Sequence, residues 1–473
     1  MSNKLTRREV IHTLAAGGLF TAGSMTPLAA LFAREQGGVI RGPQPFPPGP
    51  PLSPASLIDD KVVQPSRELP VLRRTGVLVV GGGPAGTAAA LTAQRRGVDV
   101  TLVERYGHLG GLATGGLVLA IFPIYNRQKQ QVILGIGEEM MKRLDKLKFG
   151  IVDRGKAPLY PVVDAEAFKY VLADMVLDSG LHAYLDCWGV DAIIDDTGAV
   201  RGAVFESKSG RQAILADIVI DTSGDGDIYA AAGAAFTHVK DNIGLVSRIG
   251  NISEVDMFSF VESEHAPGKP AVVRKRPRHG APVSQLDGKM GSQTPVPNVN
   301  WLNMKGPVAD GLDVADLTRL ELRHRIALWE NLEKVRSQPG HEDAFLLETA
   351  PQLGVRLTRL LDGVKMLTED DMKNQASFDD VIGYSGAFAN VAEFQLPYGA
   401  LVPKKLENIL VGGRCIAADF AVANITRLIP VCWVTGQAAG VAASMCIEDK
   451  CTPRNVDVTK LQNILRQSGA YLG

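Results

Sequence analysis

Short, wholly apolar segments alternate with glycine turns in the region that follows residue 76. Residues 77–80 form one such segment, and the mainly apolar stretch 98–103 forms another, which ends at Glu104. Short apolar runs of this kind are typical of parallel strands that are buried on both faces. A stretch rich in alanine and threonine separates the two runs, so the pattern predicts the strand–helix–strand unit of an α/β fold.

The pattern changes further along the chain. Residues 185–221 alternate around two short turns, which predicts an antiparallel β-meander inserted in the main sheet. Residues 316–335 have leucines at helical spacing and predict an amphipathic helix, on which we interpret His324 as a packing residue. Residues 409–412 predict another strand, and a helix of small residues is expected to follow from about Pro430.

The first 74 residues are predicted to lie outside the globular part. Thr6, Arg7 and Arg8 precede an uncharged segment that runs from residue 13 to residue 33, the pattern of a twin-arginine export signal. Because this segment is borderline in length for a membrane span, residues 1–36 are expected to be either a signal peptide or a membrane anchor. The nine prolines from Pro43 to Pro70 predict an extended linker over residues 37–74. The expected location is therefore periplasmic or secreted, with membrane anchoring as the alternative.

Charge and cysteine content narrow the possible partners. The formal net charge is −1, so no overall field would attract nucleic acid or an anionic membrane. The five cysteines include no C-x-x-C pair, and we expect neither a zinc site nor a redox dithiol.

The turn after the first apolar run carries the most specific motif. Residues 81–86 satisfy G-x-G-x-x-G, in which Gly81 permits a tight turn, Gly83 allows close approach of a diphosphate, and Gly86 allows the helix to pack on the strand. Glu104 follows 23 residues after Gly81, where a carboxylate accepts hydrogen bonds from ribose hydroxyls. The complete unit predicts a dinucleotide site.

A second glycine-rich segment favours FAD over NAD as the nucleotide. Residues 105–116, RYGHLGGLATGG, lie close to the first turn and suit a ligand that extends beyond its adenosine end. The helix expected from Pro430 has small residues and could direct its N-terminal amides at a flavin carbonyl. Dense packing against the sheet explains the same small residues, and the two roles are compatible.

Four stretches together resemble the FAD-dependent oxidoreductase family, which is distantly similar to the fumarate reductase and glutathione reductase flavoproteins. They are GGGPAG with VERYGHLGGLATGG, DTSGDGDIYAAAGA, GVRLTRLLDG, and PYGALVPKKLENILVGGRCIAA with RLIPVCWVTGQAAG. The resemblance covers about 75–450, with an interruption between about 240 and 345. It implies an α/β fold: a Rossmann-like FAD-binding domain with a parallel sheet, the inserted meander, and a mixed substrate or cap domain.

The resemblance also implies domain boundaries and cofactor contacts. The FAD-binding domain would comprise residues 75–236 and 351–473, with residues 237–350 as the substrate or cap region. The residues expected to bind FAD are Gly81, Gly83, Pro84, Ala85, Gly86, Glu104, Arg105, Gly110, Gly111, Thr114, Gly224, Gly413, Arg414, Pro430, Gly436 and Gln437.

Candidate catalytic residues follow from flavin chemistry. Hydride transfer to FAD leaves negative charge at the N1–C2=O edge, and Arg427, just before the small-residue helix, is our candidate for stabilising that charge, with Arg414 second. A substrate alcohol or amine must also lose a proton, for which His108, His238 and Tyr384 are candidates. His108 could instead carry a covalent link to the flavin.

The favoured hypothesis is an exported FAD-dependent oxidoreductase, a dehydrogenase or oxidase, that removes hydride from a small polar, hydroxylated or carbohydrate-like substrate. Its electrons would pass to a quinone, a small carrier or oxygen. The alternatives are a flavin-dependent reductase of an activated C=C bond and a flavoprotein electron-transfer component without substrate chemistry of its own.

Overall fold

The computed structural model describes residues 54–157, 160–251, 294–337 and 340–473, together with the backbone of four short strands between residues 258 and 290. The chain divides into two units, Met1–Pro45 and Phe46–Gly473, and every described residue belongs to the second. The predicted export signal and residues 37–53 of the predicted linker therefore lie outside the described residues.

The main sheet is mixed and has seven strands. In spatial order they are β7 (His182–Tyr184), β4 (Val100–Val103), β3 (Val71–Val80), β10 (Gly210–Asp221), β9 (Val200–Ser207) and β8 (Trp188–Ile194), with β25 (Ile409–Val411) on β10. The pairs β7–β4, β4–β3, β3–β10 and β10–β25 are parallel, whereas β10–β9 and β9–β8 are antiparallel. The α/β fold and the inserted meander predicted from the sequence are confirmed.

One edge of β10 pairs with two different strands along its length. Residues 210–215 pair with β9 of the meander, whereas residues 219–221 pair with β25 from the C-terminal part of the chain. The carboxyl ends of β3, β4, β10 and β25 consequently meet at one edge of the sheet. In an open parallel sheet this is the edge at which ligands bind.

The helices cover the sheet and close its edge. They are α1 (Pro84–Arg95), α2 (Ile136–Asp145), α3 (Ala165–Ser179), α4 (Asp227–Ala231), α5 (Val314–Arg336), α6 (Glu369–Lys373), α7 (Phe420–Thr426), α8 (Ile429–Asp449) and α9 (Val458–Gln467). α8 packs on α1 through Gly436 and Gly440, where an added Cβ would lie 2.1 Å from Ala85 O and 2.4 Å from Ala89 O. The two helix backbones are therefore in direct contact.

α8 is long and apolar enough to cross a membrane, the one such helix in the described part of the chain. Of its most apolar window, 94% is buried inside the protein, so α8 is a core helix of this fold.

The remaining strands form small sheets. They are β1 (Ser56–Ile58), β2 (Lys61–Val63), β5 (Ile151–Val152), β6 (Val162–Val163), β11 (Phe236–His238), β12 (Asp241–Gly244), β13 (Val246–Gly250), β14 (Phe258–Val261), β15 (Val272–Lys275), β16 (Gln285–Leu286), β17 (Lys289–Met290), β18 (Val299–Asn303), β19 (Val308–Ala309), β20 (Phe345–Thr349), β21 (Gly354–Val355), β22 (Arg359–Leu361), β23 (Val381–Ser385) and β24 (Phe394–Pro397).

The cap region is built around two three-stranded sheets. Their orders are β19–β12–β21 and β18–β13–β20, and α5 packs against them, with His324 Nε2 3.0 Å from Ile243 O. His324 is buried at 1% exposure, in keeping with its interpretation as a packing residue. Arg248 of β13 pairs with Asp164 at 2.8 Å and also with Glu348. Since Asp164 caps α3, this ion pair fixes the cap region to the nucleotide-binding domain.

The predicted linker is only partly irregular. β1 and β2 pair as a hairpin, and β3 begins at Val71, so an extended linker over the whole of 37–74 does not describe this segment. The reason lies in the spacing of the prolines. Pro54 and Pro65 flank the hairpin, and the ten residues between them contain no proline to interrupt a strand ladder.

Candidate active site

A cleft lies at the carboxyl edge of the main sheet. It encloses about 660 Å³ of space, part of it open to solvent. Its walls come from five segments far apart in sequence, namely the turn after β3, the loop after β4, the loop after β10, Gln352 just before β21, and the segment that runs from the end of β25 into the first turn of α8. The lining residues are Gly81, Gly83, Pro84, Ala85, Glu104, Arg105, Tyr106, Gly111, Leu112, Thr222, Ser223, Gly224, Gln352, Gly412, Gly413, Arg414, Arg427, Ile429 and Cys432.

Glycine is needed at Gly81, Gly83 and Gly86 of the turn for a different reason at each position. Gly81 has φ 105°, and a Cβ there would lie 2.4 Å from Thr222 O. A Cβ on Gly86 would lie 1.7 Å from Gly81 O. The position of Gly83 is open, because the nearest atom to an added Cβ is Gly111 Cα at 4.0 Å. Gly81 and Gly86 are therefore required by the fold itself, whereas Gly83 keeps the cleft free for a ligand.

Glu104 connects the ends of β3 and β4. Its Oε2 accepts from the Gly82 N–H at 2.7 Å, and its Oε1 accepts from the Tyr106 N–H at 2.8 Å. Burial raises the pKa of Glu104, against the opposing effect of these two hydrogen bonds. Each carboxylate oxygen retains a lone pair, so the group can still accept hydrogen bonds from ribose hydroxyls.

Arg105 sits beside this acid on an aromatic surface. Its guanidinium carbon lies 4.9 Å from the ring centroid of Tyr106 and 5.8 Å from that of Trp188. Planar guanidinium and aromatic groups favour stacking of a flat ring. The position next to Glu104 suits the adenosine end of a dinucleotide.

Two helix N-termini border the cleft. α1 begins after Gly83 and α8 after Leu428, and neither has a capping side chain. The amides at such ends carry partial positive charge and stabilise negative charge nearby. α1 is placed for a diphosphate and α8 for a second negative centre further along the cleft.

Arg427 lies at the start of α8 with most of its donors unused. Its Nε is buried and has no acceptor, and its Nη2 makes only a 3.5 Å contact with Asn424 Oδ1. Burial, followed by the charge of Arg356, lowers the pKa of Arg427 to about 10, so the guanidinium remains charged at neutral pH. A buried guanidinium without a hydrogen-bond acceptor destabilises the protein unless a bound ligand supplies the acceptor.

Arg414 has a structural position. It donates to Gly224 O at 2.5 Å and to Val355 O at 2.7 Å, and it also pairs with Asp225. Gly224 has φ 82°, and a Cβ there would lie 3.0 Å from Arg414 Nε. Arg414 thereby joins the loop after β10 to β21.

The loop after β4 is held from both sides. Thr114 Oγ1 donates to Leu109 O at 2.5 Å, and Gly110, with φ 100°, makes room for Thr114. Gln352 donates from Nε2 to Gly111 O at 2.9 Å. Gly111 and Leu112 reach the cleft, whereas Gly110 and Thr114 lie behind it and shape the loop.

Some predicted cofactor residues have other contacts. Gln437 accepts from the Ile136 N–H at 3.1 Å and so caps α2. Gly436 packs against Ala85 of α1, and Gly86 against Gly81. With Pro430, these residues support the cleft from behind without lining it. Gly413, with φ 87°, does line it.

The candidate proton acceptors do not meet at the cleft. His108 stacks on Tyr106 at 5.6 Å and places its Nδ1 3.5 Å from Thr114 Oγ1; burial lowers its pKa. His238, on the exposed strand β11, faces Asp310 at 3.0 Å. Tyr384 accepts from Gln395 Nε2 at 2.8 Å and packs edge-on against Tyr471. None of the three lines the cleft.

The short helix α4 is capped from the end of β10. Asp221 Oδ2 accepts from the Ile228 and Tyr229 N–H groups at 2.9 Å each. Asp221 is the last residue of the buried strand β10. The tight turn after it brings the N-terminus of α4 back to the Asp221 carboxylate.

Sequence analysis missed several cleft residues. They are Tyr106, Leu112, Thr222, Ser223, Gln352, Gly412, Ile429 and Cys432. Thr222 and Gly412 each directly follow a parallel strand of the main sheet, β10 and β25, and a strand end of this kind could have identified them. Gln352 comes from the start of the segment that pairs with the cap strands, and no local pattern marks it.

The cleft fits FAD. Its open position at Gly83, the uncapped α1, the acceptor Glu104 and the unsatisfied Arg427 provide groups for a diphosphate, a ribose and a negatively charged ring edge. No group of three metal-ligating side chains occurs among the residues that the structure describes.

Comparison with known proteins identifies the family. The family model described as FAD dependent oxidoreductase matches residues 76–465. That match covers most of the chain, and the protein belongs to this family. The members of this family are enzymes that use FAD, in agreement with the cofactor and the family predicted from the sequence.

Individual relatives are distant. Digeranylgeranylglycerophospholipid reductase 2 of Methanopyrus kandleri is 28% identical over 156 residues, which are 31% of this chain and 37% of that protein. Thiamine thiazole synthase of Sulfolobus acidocaldarius is 27% identical over 166 residues, 33% of this chain and 58% of that protein. The matches thus span less than two-thirds of these relatives. A solved geranylgeranyl bacteriochlorophyll reductase-like protein of Thermoplasma acidophilum aligns with a TM-score of 0.42 and 15% identity over 84% of both chains.

Proposed function

We propose that this FAD-dependent oxidoreductase removes hydride from a small polar substrate and passes the electrons to a separate acceptor. The observation that carries the proposal is the buried, unsatisfied Nε of Arg427 beside the N-terminus of α8. When bound, FAD supplies the two-electron chemistry. Arg427 and the α8 amides would stabilise negative charge at the N1–C2=O edge of the flavin, which favours the reduced state.

The other cleft residues hold the cofactor. The amides at the start of α1 would bind the diphosphate, and the open position of Gly83 would let it approach the backbone. Glu104 would accept from the ribose hydroxyls, and Arg105, which lies over the Trp188 ring, would stack on the adenine ring. The substrate would lie on the cap side, where Gln352 and Arg427 reach the cleft.

The arginines of the cleft favour a dehydrogenase over a reductase of acidic enoates. A dicarboxylate pocket needs several cations with free donors. Of the three arginines that line the described cleft, Arg414 is engaged by two carbonyls and Asp225, and Arg105 lies at the adenosine end. Only Arg427 keeps donors for the flavin end.

An anaerobic screen tests the proposal. FAD-loaded protein is mixed with hydroxylated compounds, including D-glucose, myo-inositol, glycerol and L-lactate, and the flavin absorbance is followed. We expect bleaching by one compound or a related group. Reoxidation of dithionite-reduced protein by fumarate or crotonate, without bleaching by any alcohol, would support the reductase. If the flavin responds to none of these compounds and exchanges electrons only with a redox protein, the result would support an electron-transfer component.

We also propose export through the twin-arginine route. The support is the sequence Thr6-Arg7-Arg8 before an uncharged segment. Export of a folded, FAD-loaded protein explains how an intracellular nucleotide would accompany a secreted chain. Replacing Arg7 and Arg8 together by Lys should retain the protein inside the cell, as measured by fractionation. Secretion of the double variant at the normal level would contradict this proposal.

A further inference from the structure

Helix α5 carries two apolar stripes on opposite sides. One stripe packs on the cap strands and consists of buried side chains, namely Leu320, His324, Leu328, Leu332 and Val335. The other consists of Leu322, Ile326 and Trp329, which are 65%, 59% and 53% exposed. Their spacing places them along one side of the helix, about half a turn away from the buried stripe. A surface helix needs one apolar stripe to pack on its own fold, so the second stripe indicates a further interface.

Exposed charged residues border the second stripe and are segregated along the helix. Arg319 and Arg323 lie toward its N-terminal end. Glu330 and Glu333 lie toward its C-terminal end. With about 3.6 residues per turn, all four positions fall within about 60° of Ile326 around the helix axis. The basic pair and the acidic pair therefore share one face with the apolar stripe, at nearly equal distances before and after its centre.

A second copy of α5, laid antiparallel across the first, matches this pattern. With the two-fold axis at Ile326, Arg319 of each copy opposes Glu333 of the other, and the two Ile326 side chains meet at the centre. Leu322 of one copy lies beside Trp329 of the other. A parallel arrangement would oppose like charges, which is destabilising. An anionic membrane fits less well, because the acidic half of the face would be repelled by lipid phosphates.

The charges of this face are only weakly engaged within the helix. Arg319 pairs with Asp316 at 3.2 Å, and Glu333 pairs with Arg336 at 2.9 Å. Both are partly exposed pairs between neighbouring turns, which contribute little to stability and are screened by salt. Their side chains can therefore turn toward another copy at little cost in free energy.

We infer that the exposed face of α5 is a homodimer interface, in which two copies of the helix pack antiparallel about a two-fold axis at Ile326. The face consists of Arg319, Leu322, Arg323, Ile326, Trp329, Glu330 and Glu333. An interface in which the same patch pairs with itself closes at two subunits. Standard interfaces use about 20 to 30 residues a side, so this smaller face should give a reversible dimer with a dissociation constant of about 1 to 100 μM. Because the other side of α5 packs on the cap strands, dimerisation joins the cap regions of the two copies.

Sedimentation velocity of the FAD-loaded full chain over a dilution series tests the inference. Ile326→Arg places two like charges at the axis, and we expect it to raise the dissociation constant about 100-fold. Leu177→Arg is the matched control, because Leu177 is 63% exposed but lies on α3. It should dimerise as the wild type does. FAD content and thermal midpoint are measured for every variant and should not change.

Charge reversal tests the antiparallel arrangement itself. Arg319→Glu alone and Glu333→Arg alone should each weaken the dimer about 10-fold, since each opposes like charges at both ends of the interface. An equimolar mixture of the two variants should recover the wild-type affinity, because an acidic position then faces a basic one at both ends. The double variant Arg319→Glu/Glu333→Arg should recover it as well.

Several results would overturn the inference. They are a chain that stays monomeric at every concentration, a dimer that is unchanged in Ile326→Arg, an equal loss in Leu177→Arg, and a mixture of the charge variants that stays monomeric. Binding of the monomer to phosphatidylglycerol vesicles, lost in Ile326→Arg, would assign the face to a membrane and also overturn it. If Ile326→Arg lowers the thermal midpoint, the charge variants decide, because their positions are exposed and their mixture contains no new residue at the axis.

Discussion

The carboxylate of Glu104 accepts the backbone N–H of Gly82 at 2.7 Å, so the acid that follows β4 also holds the middle of the turn that follows β3. Its other oxygen accepts from Tyr106. One side chain therefore orients the glycine turn and, in the proposed FAD site, would also accept from the ribose. Under this proposal, nucleotide binding and the geometry of the turn depend on the same carboxylate.

FAD affinity should fall when Glu104 is protonated. Because burial raises the pKa of this carboxyl, the charged acceptor is lost, as pH decreases, at a higher pH than that at which an ordinary glutamate loses its charge. We expect release of FAD at mildly acidic pH, measured by ultrafiltration of the yellow protein. Glu104→Gln should bind FAD about 10-fold more weakly at pH 7, a loss of about 1.4 kcal/mol, and show a flatter pH dependence. A variant with the wild-type profile would contradict this role.

Gly83→Ala should separate folding from cofactor binding. Gly83 has φ −69°, which alanine adopts readily, and its added Cβ would meet no protein atom closer than 4.0 Å. The thermal midpoint without cofactor should therefore be unchanged, while FAD affinity falls about 10- to 100-fold through contact with the diphosphate.

Gly107→Ala provides the control for Gly83→Ala. It lies in the loop after β4 but outside the cleft, and its Cβ would make an ordinary 3.5 Å contact with Asp186. It should bind FAD normally. Normal affinity in Gly83→Ala would show that the nucleotide does not approach this turn.

Removing the charge of Arg427 should make the flavin harder to reduce. Loss of about 1.4 to 2.8 kcal/mol of stabilisation in the reduced state lowers a two-electron potential by about 30 to 60 mV. We expect this shift in Arg427→Met, measured by spectroscopic redox titration at pH 7. Arg427→Lys keeps the charge and should recover most of the potential. Equal reduction potentials in the wild type and both variants would show that Arg427 does not lie at the flavin edge.

Asp227→Asn should change the pH dependence of stability. Burial, followed by the neighbouring carboxylates Asp225 and Asp221, raises the pKa of Asp227 to about 6 despite its 3.0 Å contact with Arg359. The folded state therefore binds this proton more tightly than the unfolded state, and the wild type loses stability from this group as pH rises from about 4 to about 6. Asp227→Asn has no carboxyl group at this position, so this decrease in the free energy of unfolding should be absent from the variant.

The size of this effect depends on pH. Because Asp227 is partly exposed, we expect Asp227→Asn to gain about 1 to 2 kcal/mol at pH 8 and almost nothing at pH 4. Denaturant unfolding at both pH values measures the difference. An equal change at both would show that the charge of Asp227 is not the cause.

The nucleotide half of the site could be predicted from the sequence because its chemistry is local. The strand before Gly81, the turn and the acid at position 104 lie within one continuous unit, and each has a backbone or hydrogen-bonding reason for its residue type. The meander and α8 were predictable for the same reason, since their hydrophobic patterns follow from burial on a sheet and against α1.

The substrate half could not be predicted in this way. Gln352 reaches the site through the segment after residue 350, where β21 pairs with β12 of the cap region, and no local pattern marks it. Histidine was chosen as a proton acceptor for its ordinary pKa, but His238 lies on an exposed strand and His108 behind the loop. Gln437 lies on a helix that touches the site, but its side chain faces α2.

The sharing of β10 between the meander and β25 has a consequence for biosynthesis. The walls of the cleft begin at residue 81 and are completed only by residue 432. A nascent polypeptide on the ribosome can fold the glycine turn early, but it lacks β25, Arg427 and α8 until the residues up to 432 have been synthesised. Cofactor loading then waits for these later segments, and chains truncated before α8 should emerge colourless even when their first strands have assembled.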